Sequence, residues 1–155
     1  MMANRVVVEH KINADTVYRF PESACLACLT EVGQIILVRQ FRSVHDIETI
    51  ELPGGKIMDG EAPAEAASRE FMEETGLEAS QPKHLFTLDM DLSVSIHKTH
   101  VFVAWATIPP HVSGRVVLIS LGDALAKINC GAITHAPTVA AIERLASNKG
   151  AFTNS

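Results

Sequence analysis

Between Leu52 and Leu77 the chain reads LPGGKIMDGEAPAEAASREFMEETGL, and Glu61, Glu65, Glu70, Glu73 and Glu74 surround a single Arg69. On a helix of 100° per residue, Glu70 and Glu74 stand about 40° apart on one face and roughly 6 Å apart along the axis. Arg69 and Glu73 form a second i,i+4 pair on the neighbouring face, and Ala64, Ala67 and Phe71 make an apolar stripe beside the carboxylates. Like charges at this spacing cost a helix about 0.2–0.5 kcal/mol per pair. The acids also crowd the C-terminal half, where the macrodipole disfavours negative charge. A solvated acidic face with Arg69 as counterion is the plainer use of such a helix, but it leaves this crowding unexplained. A divalent cation accounts for it. Hard oxygen ligands with spare waters suit Mg²⁺ or Mn²⁺, and a Mg²⁺ site of one or two carboxylates is usually completed by substrate phosphates. The Pro53-Gly54-Gly55 turn just upstream can bring backbone groups to the same place.

The elements that must position these groups are legible around them. The helix is expected from about Pro63, whose missing N–H suits a first turn, to Thr75, with Gly76 just past its end. "ACLACLT" and "QIILVRQF" read as apolar strands about the turn at Gly33, and "HDIETIELPGGK" as a short strand running into the glycine turn. "RVVVEHKI" and "TVYRF" suggest a hairpin across "NAD". "KHLFTLDMDL", "KTHVFVAWATI" and "RVVLISL" read as later strands. "GDALAKINCG" reads as a short helix with Asp123 as N-cap and Gly131 as its stop, "PTVAAIERLA" as the last helix, and "SNKGAFTNS" as a polar tail. Strands, a helix, more strands and then helices predict an α/β (α+β) domain with a mixed sheet and helices on its faces.

Composition narrows the function. The 155 residues are 47% hydrophobic and 20% charged, ordinary for a globular domain, and the net charge of −5 gives no basic footprint for nucleic acid. No apolar run approaches the roughly 20 residues of a membrane span. The start "MMANRVVVEHK" does not pair a basic region with an apolar one, so a cytoplasmic protein without a secretory signal is expected. Cys25 and Cys28 form a CxxC inside a strand, where i and i+3 face opposite ways, and no second CxxC completes a zinc site. They read as buried structural thiols.

The stretch from Gly55 to Leu77 resembles the Nudix box: Gly, five residues, Glu, seven residues, Arg-Glu, apolar, any, Glu-Glu, any, Gly, apolar. Gly55, Glu61, Arg69, Glu70, Phe71, Glu73, Glu74, Gly76 and Leu77 fall in register, with Phe71 where the family usually has an aliphatic residue. The resemblance implies a single Nudix domain over residues 1–155, with a short strand extension at 1–22 and the box at 55–77. It implies an α/β/α sandwich and metal-dependent hydrolysis of a nucleoside diphosphate linked to another moiety. By the same resemblance Glu70 and Glu74 are the principal metal ligands, joined by the Gly54 carbonyl. Glu73 ligates metal or orients water, Arg69 fixes the carboxylates, and Glu61 supports the loop or reaches a metal through water.

"LVRQFR" followed by "IELPGGK" is similar to the ADP-ribose pyrophosphatase branch of that family, which makes Arg39, Arg42 and Glu51 candidate substrate contacts. "GAITHAPTVAAI" resembles the start of that branch's C-terminal helix, normally Gly-Glu-Ile-X-Asp-Ala-X-Thr. Three departures stand against this. The late loop "PPHVSGR" holds no glutamate, the position of a common proline is Ser93, and the N-terminal part is short. A histidine can serve as general base instead, and His97 in "SVSIHK" is the candidate. His100 reads as a strand-face residue.

The expectation is therefore a hydrolase of ADP-ribose or a related nucleotide sugar, with Mg²⁺ or Mn²⁺, acting as a homodimer by analogy with the branch. The alternatives are a housecleaning hydrolase of nucleoside triphosphates or dinucleoside polyphosphates, and a non-catalytic ligand-binding Nudix module.

Overall fold

The computed structural model describes residues 8–12 and 15–148. Its strands are β1 (Val8–Ile12), β2 (Asp15–Arg19), β3 (Ser23–Thr30), β4 (Gln34–Arg42), β5 (Ile47–Glu51), β6 (Gly54–Lys56), β7 (Lys83–Asp89), β8 (Ser95–Ile96), β9 (Lys98–Ala106) and β10 (Val116–Ser120). Its helices are α1 (Pro63–Thr75), α2 (Leu121–Asn129) and α3 (Ala136–Ser147). The main sheet runs β10-β4-β3-β9-β7, with β5 added to β4 and β6 to β3. It is mixed: β3 is parallel to β9 and antiparallel to β4 and β6. A second sheet, β1-β2-β8, pairs β1 with β2 antiparallel, as the expected hairpin requires, although its turn residues 13–14 and the tail from 149 lie outside the described residues.

The central strand explains the layering. β3 is buried from Ala24 to Thr30, which is the continuous apolar pattern of a strand covered on both faces. Because side chains alternate, Ala24, Leu26 and Cys28 pack with Ala66, Ala67 and Phe71 of α1. Cys25, Ala27 and Leu29 pack on the other side with Ala124 of α2 and Ala141, Ile142 and Leu145 of α3. The result is an α/β/α sandwich. The two cysteines of the CxxC fall into opposite layers, and burial pushes both thiols up to about 12, Cys25 with a smaller contribution from the Glu51 charge.

α1 begins with Pro63 and ends at Gly76, which takes the left-handed conformation (φ 73°) and donates its N–H to the Met72 carbonyl at 2.8 Å. Glu65 accepts the Ala62 N–H at 3.1 Å, a cap that the N-cap alanine cannot make with its own side chain. The buried stripe is Ala66, Ala67, Phe71 and Thr75, with Ala64 only partly covered. The wheel centred on Ala64, Ala67 and Phe71 is therefore rotated slightly from the true contact face.

The N-cap of α2 is Ser120, not Asp123. The Ser120 hydroxyl accepts the Asp123 N–H at 3.0 Å and donates to the Asp123 carboxylate at 2.8 Å. The strand residue and the acid three positions on cap each other, so the helix starts directly off β10. Gly131 (φ 77°) follows the helix as expected. No helix among the described residues is long and apolar enough to cross a membrane.

Candidate active site

The glycine turn is locked on three sides. Leu52 donates its N–H to the buried hydroxyl of Thr138 at 2.8 Å, and the Pro53 carbonyl accepts from Leu26 at 3.0 Å. Gly54 and Gly55 pair with Cys25 and Ala24 across β3 and β6. Both glycines are set by close approach. A Cβ on Gly54 would lie 2.4 Å from that of Cys25, and one on Gly55 would lie 2.5 Å from the Glu70 carboxyl carbon.

Two carboxylates of α1 converge on this turn. Glu70 rests against Gly55, and Glu74 accepts the Gly54 N–H at 3.1 Å and a hydrogen bond from the Gln40 amide. Burial holds the Glu74 carboxyl above its ordinary range. The Gly54 and Gln40 hydrogen bonds oppose that rise, and the charge of Glu70 adds to it. Arg69 serves the remaining acids. It makes a two-pronged contact with Glu61 (Nε to Oε1 2.7 Å, Nη2 to Oε2 2.9 Å), and reaches Glu70 at 2.7 Å, Glu73 at 3.5 Å and the Lys56 carbonyl at 3.1 Å. Glu61 also accepts the Met58 N–H at 2.9 Å. The Arg69 bonds, then the Met58 bond, draw its carboxyl down to about 2. Glu61 thus ties the 56–61 loop to the helix, while Glu73 stands more than half exposed.

The donor set at the turn fits a hard divalent cation. The charge of Glu70 raises the cost of ionising Glu74, and the partners of both carboxylates are hydrogen-bond donors a cation can replace. Among the described residues no three His, Cys, Asp or Glu side chains form a ready-made metal cluster. Glu61 and Glu73 are turned to Arg69 rather than to the Glu70/Glu74 pair.

A cleft of about 680 Å³ opens over this turn. One end carries Arg42, Glu51 and His135, the other Phe20, Pro21, Met90 and His97, with Gly54 and Gly55 lining the stretch that joins them. Glu51 is almost wholly buried. It takes a bidentate grip from Arg42, whose Nε lies 2.8 Å away, and a bond from Thr49 at 2.6 Å. Burial alone would raise its pKa, but the Arg42 and Thr49 bonds, His135 whenever its ring is protonated, and the Arg42 charge bring it below the usual value. His97 lies 3.4 Å from the Ser23 hydroxyl, with its ring 5.5 Å from that of Phe20. Burial lowers its pKa, against the Glu22 charge.

Of the residues singled out in the sequence, Gly54, Arg42, Glu51 and His97 line one cleft, and Glu70 and Glu74 touch the glycine turn that borders it. Arg39 is not with them: it points away and pairs with Glu48 at 3.1 Å, both side chains about half exposed. Sequence reasoning missed Gln40, which neighbours the noticed arginines but faces Glu74, and also His135 and Thr138. The alternation of β4 could have found Gln40, because it shares a face with Arg42. His135 and Thr138 lie within "GAITHAPT", where neither residue type nor spacing singles them out.

A mixed sheet between helical layers carries a glycine turn facing paired helix carboxylates beside an arginine-bearing cleft, a donor set whose chemistry fits a cation and an anionic ligand. Residues 19–119 match the NUDIX domain family, and the chain belongs to the Nudix family. Members of that family generally use divalent metal ions. The chain is 31% identical over 94 residues to the ADP-ribose pyrophosphatase of Bacillus subtilis, covering 61% of this chain and 51% of that one. It is 42% identical over 67 residues to the ADP-sugar pyrophosphatase of Mus musculus (43% and 31% of the two chains). It is 35% identical over 71 residues to the 8-oxo-dGTP diphosphatase of Escherichia coli (46% and 52%). The match spans about half the length of these relatives or less.

Proposed function

We propose that the protein is a Nudix pyrophosphohydrolase that cleaves ADP-ribose or a related nucleotide sugar to a nucleoside monophosphate and a sugar phosphate. The observation that carries this reading is the convergence of Glu70 and Glu74 on the Gly54-Gly55 turn, which itself lines a cleft together with Arg42. Two relatives named for ADP-ribose or ADP-sugar pyrophosphatase activity support the substrate class. So does a cleft lined both by the Phe20 ring and by the ion-paired Arg42, which suits a base and an oxygen-rich moiety joined by a diphosphate.

In this reading the Gly54 carbonyl, Glu70 and Glu74 hold Mg²⁺ (or Mn²⁺), and Glu73 joins them directly or through water. A cation held there neutralises diphosphate charge and makes water a better nucleophile. Arg69 keeps Glu70 aimed at the turn and Glu61 on the loop. Arg42, poised on Glu51, recognises phosphate in the bidentate manner of a guanidinium. His97 is the general base. Arg39, paired with Glu48, lies outside this cleft. A homodimer, by analogy with the ADP-ribose branch, is read by light scattering.

The want of a carboxylate in the loop 109–115, together with the relatives named 8-oxo-dGTP diphosphatase, favours a second reading: hydrolysis of nucleoside triphosphates or dinucleoside polyphosphates. The test is a panel of ADP-ribose, other nucleotide sugars, dinucleoside polyphosphates and nucleoside triphosphates, with Mg²⁺ and with Mn²⁺, and Glu74→Gln as the blank. Cleavage of ADP-ribose to AMP, lost in the blank, is the expected result. Turnover confined to the triphosphates or dinucleoside polyphosphates establishes the second reading. Binding without turnover identifies a ligand-binding module.

A further inference from the structure

His135 stands at the ionic end of the cleft, immediately before α3, and its role follows from counting protons around Thr138. The Thr138 hydroxyl is fully buried. Its oxygen accepts the Leu52 N–H at 2.8 Å and lies 2.8 Å from His135 Nδ1. A hydroxyl has one proton to donate, and among the described residues the only acceptor in reach of this one is His135 Nδ1. The Glu51 carboxylate, 3.7 Å from Nδ1, is too far to take a hydrogen bond from it. Nδ1 is therefore the acceptor of the pair, and the imidazole proton of the neutral ring is on Nε2.

Nε2 has no protein partner among the described residues, while the ring lines the cleft and is about a third exposed. A donor held in a fixed direction without an acceptor is what a ligand-binding residue presents. Beside it Arg42 is already engaged with Glu51, so the ionic end offers a neutral donor next to a paired cation. That combination matches a hydroxyl- and phosphate-bearing moiety better than a flat base. Burial and the Arg42 charge lower the His135 pKa, against Glu51, which keeps the ring neutral at ordinary pH.

We propose that His135 is a substrate-binding residue whose Nε2–H donates to an oxygen of the moiety linked across the diphosphate, and that Thr138 is the positioning residue that fixes this tautomer. The proposal rests on the reading of the cleft as a nucleotide-sugar site. The Leu52–Thr138–His135 chain joins the backbone beside the glycine turn to this donor through one buried hydroxyl.

Imidazole ¹⁵N spectra of the whole protein at pH 7.5 test the tautomer without any turnover. The Nε2–H pattern is expected at His135, and an Nδ1–H pattern overturns the proposal. His135→Asn keeps an amide where Nδ1 stood and loses the cleft donor; His135→Gln places an amide near Nε2. With the nucleotide sugar that the wild type hydrolyses, Asn is expected to raise KM about tenfold with kcat little changed, and Gln to recover part of the loss. A merely structural role predicts the reverse order, and a wild-type KM in the Asn variant overturns the assignment. If no nucleotide sugar is turned over, the proposed activity fails by itself. His135 is then judged by whether its Nε2 resonance moves on adding ADP-ribose with Mg²⁺: movement supports the ligand contact, and its absence overturns it.

Discussion

Glu74 Oε2 lies 3.1 Å from the backbone nitrogen of Gly54, so the last carboxylate of α1 is tied to the turn it faces. That carboxylate is costly to keep charged, because it is half-buried and feels Glu70. Glu74→Gln retains the shape and can still accept from Gly54, while the repulsion disappears. Turnover is expected to fall by about 10²–10³, the range for removing one group that stabilises transition-state charge. Mg²⁺ binding weakens alongside, and Tm holds or rises. A clear drop in Tm would make Glu74 a structural residue.

The two glycines of the turn separate stability from activity. Ala at Gly54 would push its Cβ into Cys25 and the Ala24 carbonyl at 2.4 and 2.6 Å, atoms of the central strand that cannot move aside. Gly54→Ala is expected to cost about 1–3 kcal/mol in urea unfolding, as overpacking does. At Gly55 the obstacle is the Glu70 carboxylate, the free end of a side chain. Gly55→Ala should leave unfolding nearly unchanged and weaken Mg²⁺ binding about 10–100-fold, the usual cost of disturbing the support of a ligand. Equal effects in the two variants would contradict this division.

The box and its helix were readable because spacing alone fixes which side chains share a helical face. Glu70 and Glu74 on one side, with Arg69 and Glu73 beside them, follow from 100° per residue and needed no tertiary information. The layering was readable for the same reason: strand alternation sends Cys25 and Cys28 to opposite sides. What sequence could not give is which partner each exposed group finds. Arg39 and Arg42 look equivalent in "LVRQFR", yet one turns to Glu48 and the other to buried Glu51, because they lie on opposite faces of β4 where it pairs with β5. The junction of His135 and Thr138 with Leu52 is 86 residues long in sequence and has no periodic signature. The Asp123 cap was misplaced because β10 runs into α2 without a loop, leaving Ser120 to serve both elements.

The cysteines give a test of the core. Cys25 and Cys28 are buried with thiols pushed up to about 12, while Cys130 is exposed. Thiolate is the reactive form, so at pH 8 a maleimide is expected to add once to the native protein, at Cys130, and three times in denaturant. Mass spectrometry counts the additions. Rapid labelling of Cys25 or Cys28 in the native protein would mean that the layers around β3 open to solvent.

His97 and His135 line opposite ends of one cleft and should fail differently. With Phe20 beside it and Ser23 as a weak 3.4 Å partner, His97 is available for proton transfer. His97→Ala is expected to lower kcat about 10²-fold or more, the lower end for loss of a general base, with KM nearly unchanged. An unchanged kcat with a raised KM would make His97 part of the wall that receives the ligand and leave the base elsewhere.

The same two histidines set an acid-side limit on stability. Burial lowers both pKa values from 6.5 in the folded protein, with Glu22 opposing the shift at His97, and with Glu51 opposing and Arg42 adding to it at His135. Between the folded values and 6.5 the unfolded chain binds more protons than the folded one, so stability falls as pH drops through that window. Above it both states are neutral at these positions and the effect vanishes; below the folded values it is complete. Urea midpoints at pH 7.5 and 5.0, compared between the wild type and the double variant His97→Gln/His135→Gln, isolate the contribution from carboxylates that titrate in both proteins. The wild type is expected to lose more stability over this interval than the double variant. Equal losses would mean that neither ring resists protonation in the folded state, and the neutral Nε2–H donor assigned to His135 would then have to be sought at higher pH.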